Sequence, residues 1–203
     1  MSAYDSDTVR FYEDNAENWE SYVEEGYANN LDRRRELVAR LTSGADILDA
    51  GCGTGHDAEF FRNHGFKVTA FDLSSEMVKI ARRRSDAKIR QSSFSEFTTE
   101  QRFDAVWANA SLIHLPQTQL PPVVAKLGRY LKLSGLFVML LRYGRSPRRF
   151  GRRYFNGVNK KSLREIADQI SYLTLEEVRL VPVKPDNSPR WRWLHAEFRR
   201  LEY

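Results

Sequence analysis

Three glycines in five residues, Gly51, Gly53 and Gly55, limit what this chain can fold into. They follow a short apolar run suited to a buried strand, DILDA at Asp46–Ala50, and precede a segment that reads as a helix, Asp57 to His64, stopped by Gly65. Glycine permits a tight turn and lets another group approach the backbone closely. A strand, a glycine turn and a helix begin a βαβ unit, and such units build parallel sheets. The spacing is G-x-G-x-G. The dinucleotide fingerprint wants glycine where His56 stands, and no Lys-Ser/Thr follows as in a phosphate-binding loop. The next strand candidate, KVTAFD, ends in Asp72, seventeen residues after Gly55. A carboxylate there can accept both hydroxyl hydrogens of a ribose, as at the switch point of doubly wound sheets.

The alternation continues along the chain. Ser74 can cap a helix to about Arg84, Lys88 to Ser92 is a weak strand, and Phe103 to Ala110 is a strong one. Pro121 and Pro122 suit the first turn of a helix running to about Lys132, followed by the apolar strand Gly135 to Tyr143. Before the glycine turn, helices are expected from Tyr4 to about Gly26, with Phe11, Tyr12, Trp19 and Tyr22 as apolar or amphipathic positions, and from Asp32 to Leu41. After the core, Arg145 to Asn159 reads as a loop and Lys161 to Ser171 as a helix. Thr174 to Val183 and Trp191 to Arg200 read as strands joined by the turn-rich KPDNSPR. Two strands without a helix between them make a hairpin, so the sheet should end antiparallel. The expectation is an α/β, Rossmann-like doubly wound, mostly parallel sheet with helices on both faces, in three α/β/α layers.

The length of 203 residues fits one domain: a helical part at 1–44, a core at 45–144, and a basic loop, helix and closing hairpin at 145–203. The longest apolar run, Leu136 to Leu141, is far short of a membrane span of about 20 residues. The N-terminus lacks the apolar stretch of a signal peptide, and a single cysteine cannot form an internal disulfide, so a reducing, cytoplasmic setting is expected. Charge is unevenly distributed. Residues 1–36 hold ten acids and four bases, whereas residues 142–164 hold nine Lys/Arg and no acid. Such a basic stretch favours an anionic partner or is a self-repelling solvated loop.

The segments Ile47–Phe61, Val68–Arg82 and Phe103–Pro116 resemble, in order and spacing, the first, second and fourth motifs of class I S-adenosylmethionine-dependent methyltransferases. The resemblance covers roughly Val9 to Tyr143. It implies a seven-stranded sheet with an antiparallel last strand, S-adenosylmethionine as cofactor, and methyl transfer to a small-molecule acceptor. Within the family, FDAVWANASLIHLP and the RYFNG segment are similar to small-molecule or tellurite-resistance-type enzymes.

Carried across position by position, the resemblance lays the backbone of Gly51, Cys52 and Gly53 against the methionine part of the cofactor. Asp49 helps to orient its amine, Asp72 takes the ribose hydroxyls, and Leu73 and Met77 meet the adenine. Where the family often has an acid to read the adenine amino group, this chain has Gln91-Ser92-Ser93-Phe94, so Ser93 and Phe94 are assigned to the ring by hydrogen bond and stacking. Asn109, Ala110 and Ser111 fall under the sulfonium. Tyr12 and Trp19 match a lid helix, with ordinary core packing as the alternative; aromatic faces suit a sulfonium because the ring quadrupole attracts cations.

His114, just past the fourth strand, is the candidate general base and acceptor contact; a packing histidine is the other reading. His56, His64 and His195 read as structural or exposed. Arg152, Arg153 and Tyr154 are offered as acceptor-binding residues, since arginine's fork suits carboxylate or phosphate. No His/Asp/Glu group has metal-ligand spacing, and no metal is expected. Cys52, inside the turn, is not expected to be a nucleophile. Nucleic-acid amino methyltransferases usually show Asp/Asn-Pro-Pro-Tyr where this chain has Asn109-Ala110-Ser111-Leu112. A nucleic-acid-binding reading of residues 142–164 stays open through their arginines and interleaved aromatics. A monomer or homodimer is expected.

Overall fold

The computed structural model describes residues 4–19, 31–181 and 192–202. Seven strands form one sheet in the order β3-β2-β1-β4-β5-β9-β8. They are β1 (Asp46–Ala50), β2 (Lys67–Asp72), β3 (Lys88–Gln91), β4 (Phe103–Asn109), β5 (Leu131–Arg142), β8 (Leu173–Val181) and β9 (Trp193–Arg200). The first five pair in parallel, and β9 lies antiparallel between β5 and β8. The order reverses between β1 and β4. In a doubly wound sheet that reversal opens a crevice at the carboxyl ends of the strands, the edge where ligands bind.

Helices cover both faces. On one, α2 (Leu31–Val38), α3 (His56–Asn63) and α4 (Ser75–Arg84) accompany a core of Leu37, Ile47, Phe61, Val68, Trp107 and Val138. On the other, α5 (Leu120–Gly128) and α6 (Lys160–Asp168) pack over Leu48, Val106, Phe137, Met139 and Phe198. Successive β4 residues alternate between the two cores, which is why FDAVWAN reads as a nearly continuous apolar run. α1 (Ser6–Asp14) touches α4 and a small hairpin of β6 (Arg148–Phe150) and β7 (Arg153–Phe155).

Several boundaries differ from expectation for local reasons. The N-terminal helix breaks at Asn15 before a further helical turn at 16–19, and Tyr22 lies outside the described residues. α2 stops at Val38, after which Arg40 and Leu41 make i→i−3 bonds. α5 ends at Gly128, before Lys132, because β5 already starts at Leu131. The β4–β5 pairing skips from Leu131 to Leu136, and Ser134 in the skipped stretch has φ +61°. α6 starts at Lys160 in a capping box, where Asn159 Oδ1 accepts from the Ser162 N–H and Ser162 Oγ accepts from the Asn159 N–H. The expected loop at 145–159 contains the β6–β7 hairpin. Gly151, at φ +57°, turns the chain between Phe150 and Arg153, and charge masks the β pattern of RRFGRRYF. β8 ends at Val181 and β9 begins at Trp193; the KPDNSPR linker lies outside the described residues. No described helix is long and apolar enough to cross a membrane.

Candidate active site

The glycine turn is built from both ends. The N–H groups of Gly51 and Cys52 both donate to the carbonyl of Phe71, and Gly53 N–H donates to Asp72 Oδ2 at 2.9 Å. Gly51 has φ +79°, and a Cβ there would fall 2.4 Å from Cβ of Ser111. Ser111 is held by its hydroxyl, which donates to the Ala50 carbonyl at 2.6 Å. The close approach follows from a left-handed turn at Ala110 (φ 53°), an uncommon conformation for a residue with a Cβ. At Gly55 a Cβ would lie 2.9 Å from Ala81 on α4. Gly53 differs: φ is +53°, yet a Cβ would meet nothing within 4 Å. The outer glycines serve packing, and the middle one leaves an open backbone face.

Two carboxylates flank this turn. Asp72 accepts from Gly53 on one oxygen and from the Ser74 N–H on the other, which leaves lone pairs for a diol. Burial raises its pKa against those hydrogen bonds. Asp49 is 1% exposed, and its Oδ2 is buried without a hydrogen-bond partner. Burial, then the neighbouring Asp57 and Asp72 charges, push its carboxyl well above the usual range. An orphaned carboxylate oxygen fits a cationic amine. The donor set thus fits S-adenosylmethionine: Asp72 for the sugar, Asp49 for the ammonium, and the Gly51–Gly53 backbone between them.

The other assigned residues divide. Phe94 stacks edge-on against Phe71 and lies against the Gly51 side of the turn. Leu73 lines a depression with Tyr4, Val9, Arg10 and Glu13. Met77 is buried between α4 and the N-terminal segment, with Ala16, Ile80, Tyr12 and Trp19. The Ser93 hydroxyl is committed to its own turn, donating to Glu96 and accepting from the Glu96 N–H. Cys52 is half-buried; burial and the Asp49 and Asp72 charges raise its thiol pKa, which suits a non-nucleophilic role.

The Asn109 side chain is committed at both ends. Its amide donates to Asp57 Oδ2 at 2.8 Å, and its oxygen accepts from Arg33. Asp57 also accepts from Trp107 Nε1 at 2.7 Å and pairs with the buried Arg34. Burial opposes ionisation of Asp57, but the Arg34 charge and these hydrogen bonds outweigh it and hold its pKa below the usual value. Sequence reasoning missed this network; an acid directly after a glycine turn, with two arginines upstream, was the available signal.

His114 sits in a short 3₁₀ turn (Leu112–His114) clamped by Asn156, whose amide donates to the carbonyls of Leu112 and Leu115. Its Nδ1 lies 2.7 Å from the Tyr154 carbonyl and its Nε2 lies 2.7 Å from the Tyr12 hydroxyl. Burial, with Arg153 nearby, lowers its pKa to about 4. Tyr12 and Trp19 pack edge-to-face with each other and with Phe11. Arg153 lies over Phe11, Trp19 and Phe155 at 4.7, 5.0 and 5.3 Å from the ring centroids. Arg152 pairs with Asp14, and Arg149 with Asp5. The Tyr154 N–H donates to Thr8 Oγ1. The acidic N-terminal segment and the basic hairpin therefore bind each other through Arg149, Arg152 and Arg153, three of the nine basic residues in 142–164.

His56 bonds Thr54, and His64 bonds the Phe60 carbonyl. At the far edge of the sheet, His195 bonds Glu197, and Glu177 of β8 joins them with possible ligand atoms within 4.8 Å. Sequence spacing does not reveal this group because it spans two strands. Its carboxylates are paired with Arg40 and Arg179.

Residues 47–135 match the family model of the methyltransferase domain. The match spans β1 to the start of β5 and contains the glycine turn, Asp72 and His114. The chain is 35% identical over 114 residues to a malonyl-[acyl-carrier protein] O-methyltransferase of Enterobacter lignolyticus, covering 53% of this chain and 45% of that protein. It is 34% identical over 132 residues to a ubiquinone biosynthesis O-methyltransferase of Xanthomonas axonopodis pv. citri, covering 61% and 54%. The chain thus spans about half the length of these two curated relatives.

Solved structures agree on the fold. The DhpI complex with S-adenosylhomocysteine superposes with a TM-score of 0.76 at 19% identity over the full length of both chains. The Burkholderia thailandensis 1,6-didemethyltoxoflavin-N1-methyltransferase, with bound 1,6-didemethyltoxoflavin and S-adenosylhomocysteine, superposes at 0.71 with 24% identity, covering 92% of this chain and 87% of that one. The Rossmann-like methyltransferase fold expected from the sequence is therefore present.

Proposed function

We propose that this chain is an S-adenosylmethionine-dependent methyltransferase acting on a small-molecule acceptor. One observation carries the reading: a methyltransferase-domain turn whose open Gly53 face lies beside Asp72 and the partnerless Asp49 Oδ2. The cofactor, when bound, supplies an activated methyl group on a cationic sulfur. The protein's part is to hold the nucleoside, align the acceptor and exclude water. Asp72 and Leu73 serve the nucleoside end, Phe94 and Met77 wall the site, and the N-terminal segment with Tyr12 and Trp19 covers it.

The small-molecule O- and N-methyltransferases among the similar proteins support a small acceptor. The narrower likeness to tellurite-resistance-type enzymes rests on the FDAVWANASLIHLP and RYFNG segments alone. An anionic acceptor is supported by the surplus of base in residues 142–164; an acceptor anion at Arg152 competes with Asp14. A cytoplasmic setting is supported by cysteine usage. The nucleic-acid reading is the less supported one, since Arg149, Arg152 and Arg153 of the basic stretch are engaged by the N-terminal segment and the similar proteins methylate other acceptors.

The test is transfer of a ¹³C-methyl group from labelled S-adenosylmethionine to a metabolite extract of the source cells, read by mass spectrometry. Labelled small-molecule products that disappear with Asp72→Ala are expected. Label found only on RNA or DNA, or none anywhere, contradicts the proposal.

A further inference from the structure

The far edge of the sheet carries a polar cluster that the methyl-transfer reading does not use. Glu177 of β8 and Glu197 of β9 stand directly opposite each other, and His195 lies two residues from Glu197 on the same face. Like charges directly opposite on neighbouring strands repel, so this pairing costs stability unless cations offset it. Two arginines approach from outside. Arg40, just beyond α2, donates to Glu197 Oε2, while Arg179 donates to Glu177 Oε1 at 2.8 Å and to Glu36 of α2. Each glutamate keeps its other oxygen, and both of these approach one atom: His195 Nε2 lies 2.9 Å from Glu197 Oε1 and 3.9 Å from Glu177 Oε2. His195 is 1% exposed, and its Nδ1 has no hydrogen-bond partner among the described residues. The ring is thus buried with Nε2 directed into the cluster, and no bond at Nδ1 opposes a move of the ring hydrogen to that nitrogen.

We propose that Glu177, His195 and Glu197 bind one divalent transition-metal ion, with zinc the best match, and that the ion ties β8 to β9 beside α2. The candidate ligand atoms all lie within 4.8 Å of one another. Zinc takes imidazole nitrogen and carboxylate oxygen at about 2.0–2.2 Å, so tetrahedral ligand atoms sit roughly 3.4 Å apart. The separations of 2.9 and 3.9 Å lie on either side of that value. A nitrogen ligand and a set of only three disfavour calcium, which takes six or more oxygens, and magnesium, which prefers oxygen. An open depression lined by Glu36, Arg40, Glu177, Arg179 and Glu197 gives the ion a way in and leaves its fourth position to water. A carboxylate only accepts, so Nε2 carries the ring hydrogen while it bonds Glu197; on binding, that hydrogen moves to Nδ1 and the freed Nε2 lone pair takes the ion. The arginines assist by bonding the outer oxygens, which holds both carboxylates with their inner oxygens converged. Their charge does not fill the site. Three carboxylates, Glu36, Glu177 and Glu197, meet two guanidinium groups, Arg40 and Arg179, and one negative charge is left in excess for the ion. The cluster contains none of the residues assigned to the cofactor, so the inference stands apart from methyl transfer.

The test titrates zinc ions, and separately cobalt(II) ions, into the full chain, expressed without a polyhistidine tag and first stripped with chelator. One ion should bind per chain, the cobalt form should show the visible absorption of a four-coordinate site, and zinc should raise the thermal midpoint. Histidine ¹⁵N spectra of the zinc form should place the ion on Nε2 of His195 and the hydrogen on Nδ1. Glu177→Gln, at a half-exposed position, removes one charged ligand and should weaken zinc binding at least tenfold in a chain that circular dichroism shows to be folded. His195→Gln should weaken it at least as much. Absence of saturable zinc binding to wild type, unchanged affinity in Glu177→Gln, or zinc-bound spectra in which the His195 signals do not move would each overturn the site.

Discussion

Gly51 and Gly53 both have positive φ but different surroundings, so they should fail differently. Gly51→Ala forces a methyl to within 2.4 Å of Ser111 in a left-handed backbone. We expect a loss of about 2 kcal/mol or more in chemical denaturation. Gly53→Ala has room and carries only the left-handed penalty of about 1–2 kcal/mol, yet it should weaken S-adenosylhomocysteine binding at least as much. Equal stability losses would mean that the Ser111 approach is not tight. At Asp57 the expected cost is larger. Asp57→Ala leaves Arg34 buried without its carboxylate, a loss of roughly 3–5 kcal/mol, and a variant within 1 kcal/mol of wild type would contradict the network. The glycine turn and Asp72, which the structure joins through the Gly53 N–H, were legible in the sequence because each follows or ends a strand. Asp57 and Glu13 were not, since their partners are 50 and 62 residues away, at Trp107 and Ser75.

At the scale of elements, the N-terminal segment is held across the strand ends by contacts of several kinds. Glu13 accepts from the N–H groups of Ser75 and Glu76, capping α4 from another helix. Asp5 and Asp14 pair with the hairpin arginines. The pairs are half-exposed, so Arg149→Ala with Arg152→Ala should change global stability by no more than about 1 kcal/mol. Amide exchange across α1 should nevertheless accelerate in the double variant, with the core unchanged. Unaltered α1 protection would show that the ion pairs do not hold the segment down. Periodicity placed the helices and strands of the core well, since each buries an apolar face. The hairpin escaped because, of its strand residues, only Phe155 is buried in a core, and the exposed arginines hide the alternation.

For the molecule as a whole, His114 and Glu197 are two of the buried groups whose titration shapes the acid limit. The folded pKa of His114 is about 4, against about 6.5 when unfolded, so the unfolded chain binds more protons between those values and stability falls as pH drops through them. Glu197 adds the carboxylate case. Burial raises its pKa, but His195 and Arg40 outweigh burial and bring it to about 2, so its contribution is present above about 4.5 and is lost toward pH 2. Each shift corresponds to roughly 3 kcal/mol. Urea midpoints should decline in two stages, below pH 6.5 and again below pH 4.5, and His114→Gln should abolish the first. Asp49 and Asp72, raised by burial, titrate in the opposite sense, so the readout is the difference: identical pH dependence in wild type and His114→Gln would contradict the His114 environment.

Calorimetry with S-adenosylhomocysteine puts the central claim to its shortest test. Saturable one-site binding is expected. Asp72→Ala should reduce affinity at least tenfold. Absence of binding heat in buffers of different ionisation enthalpy, or an Asp72→Ala isotherm identical to wild type, would contradict the account.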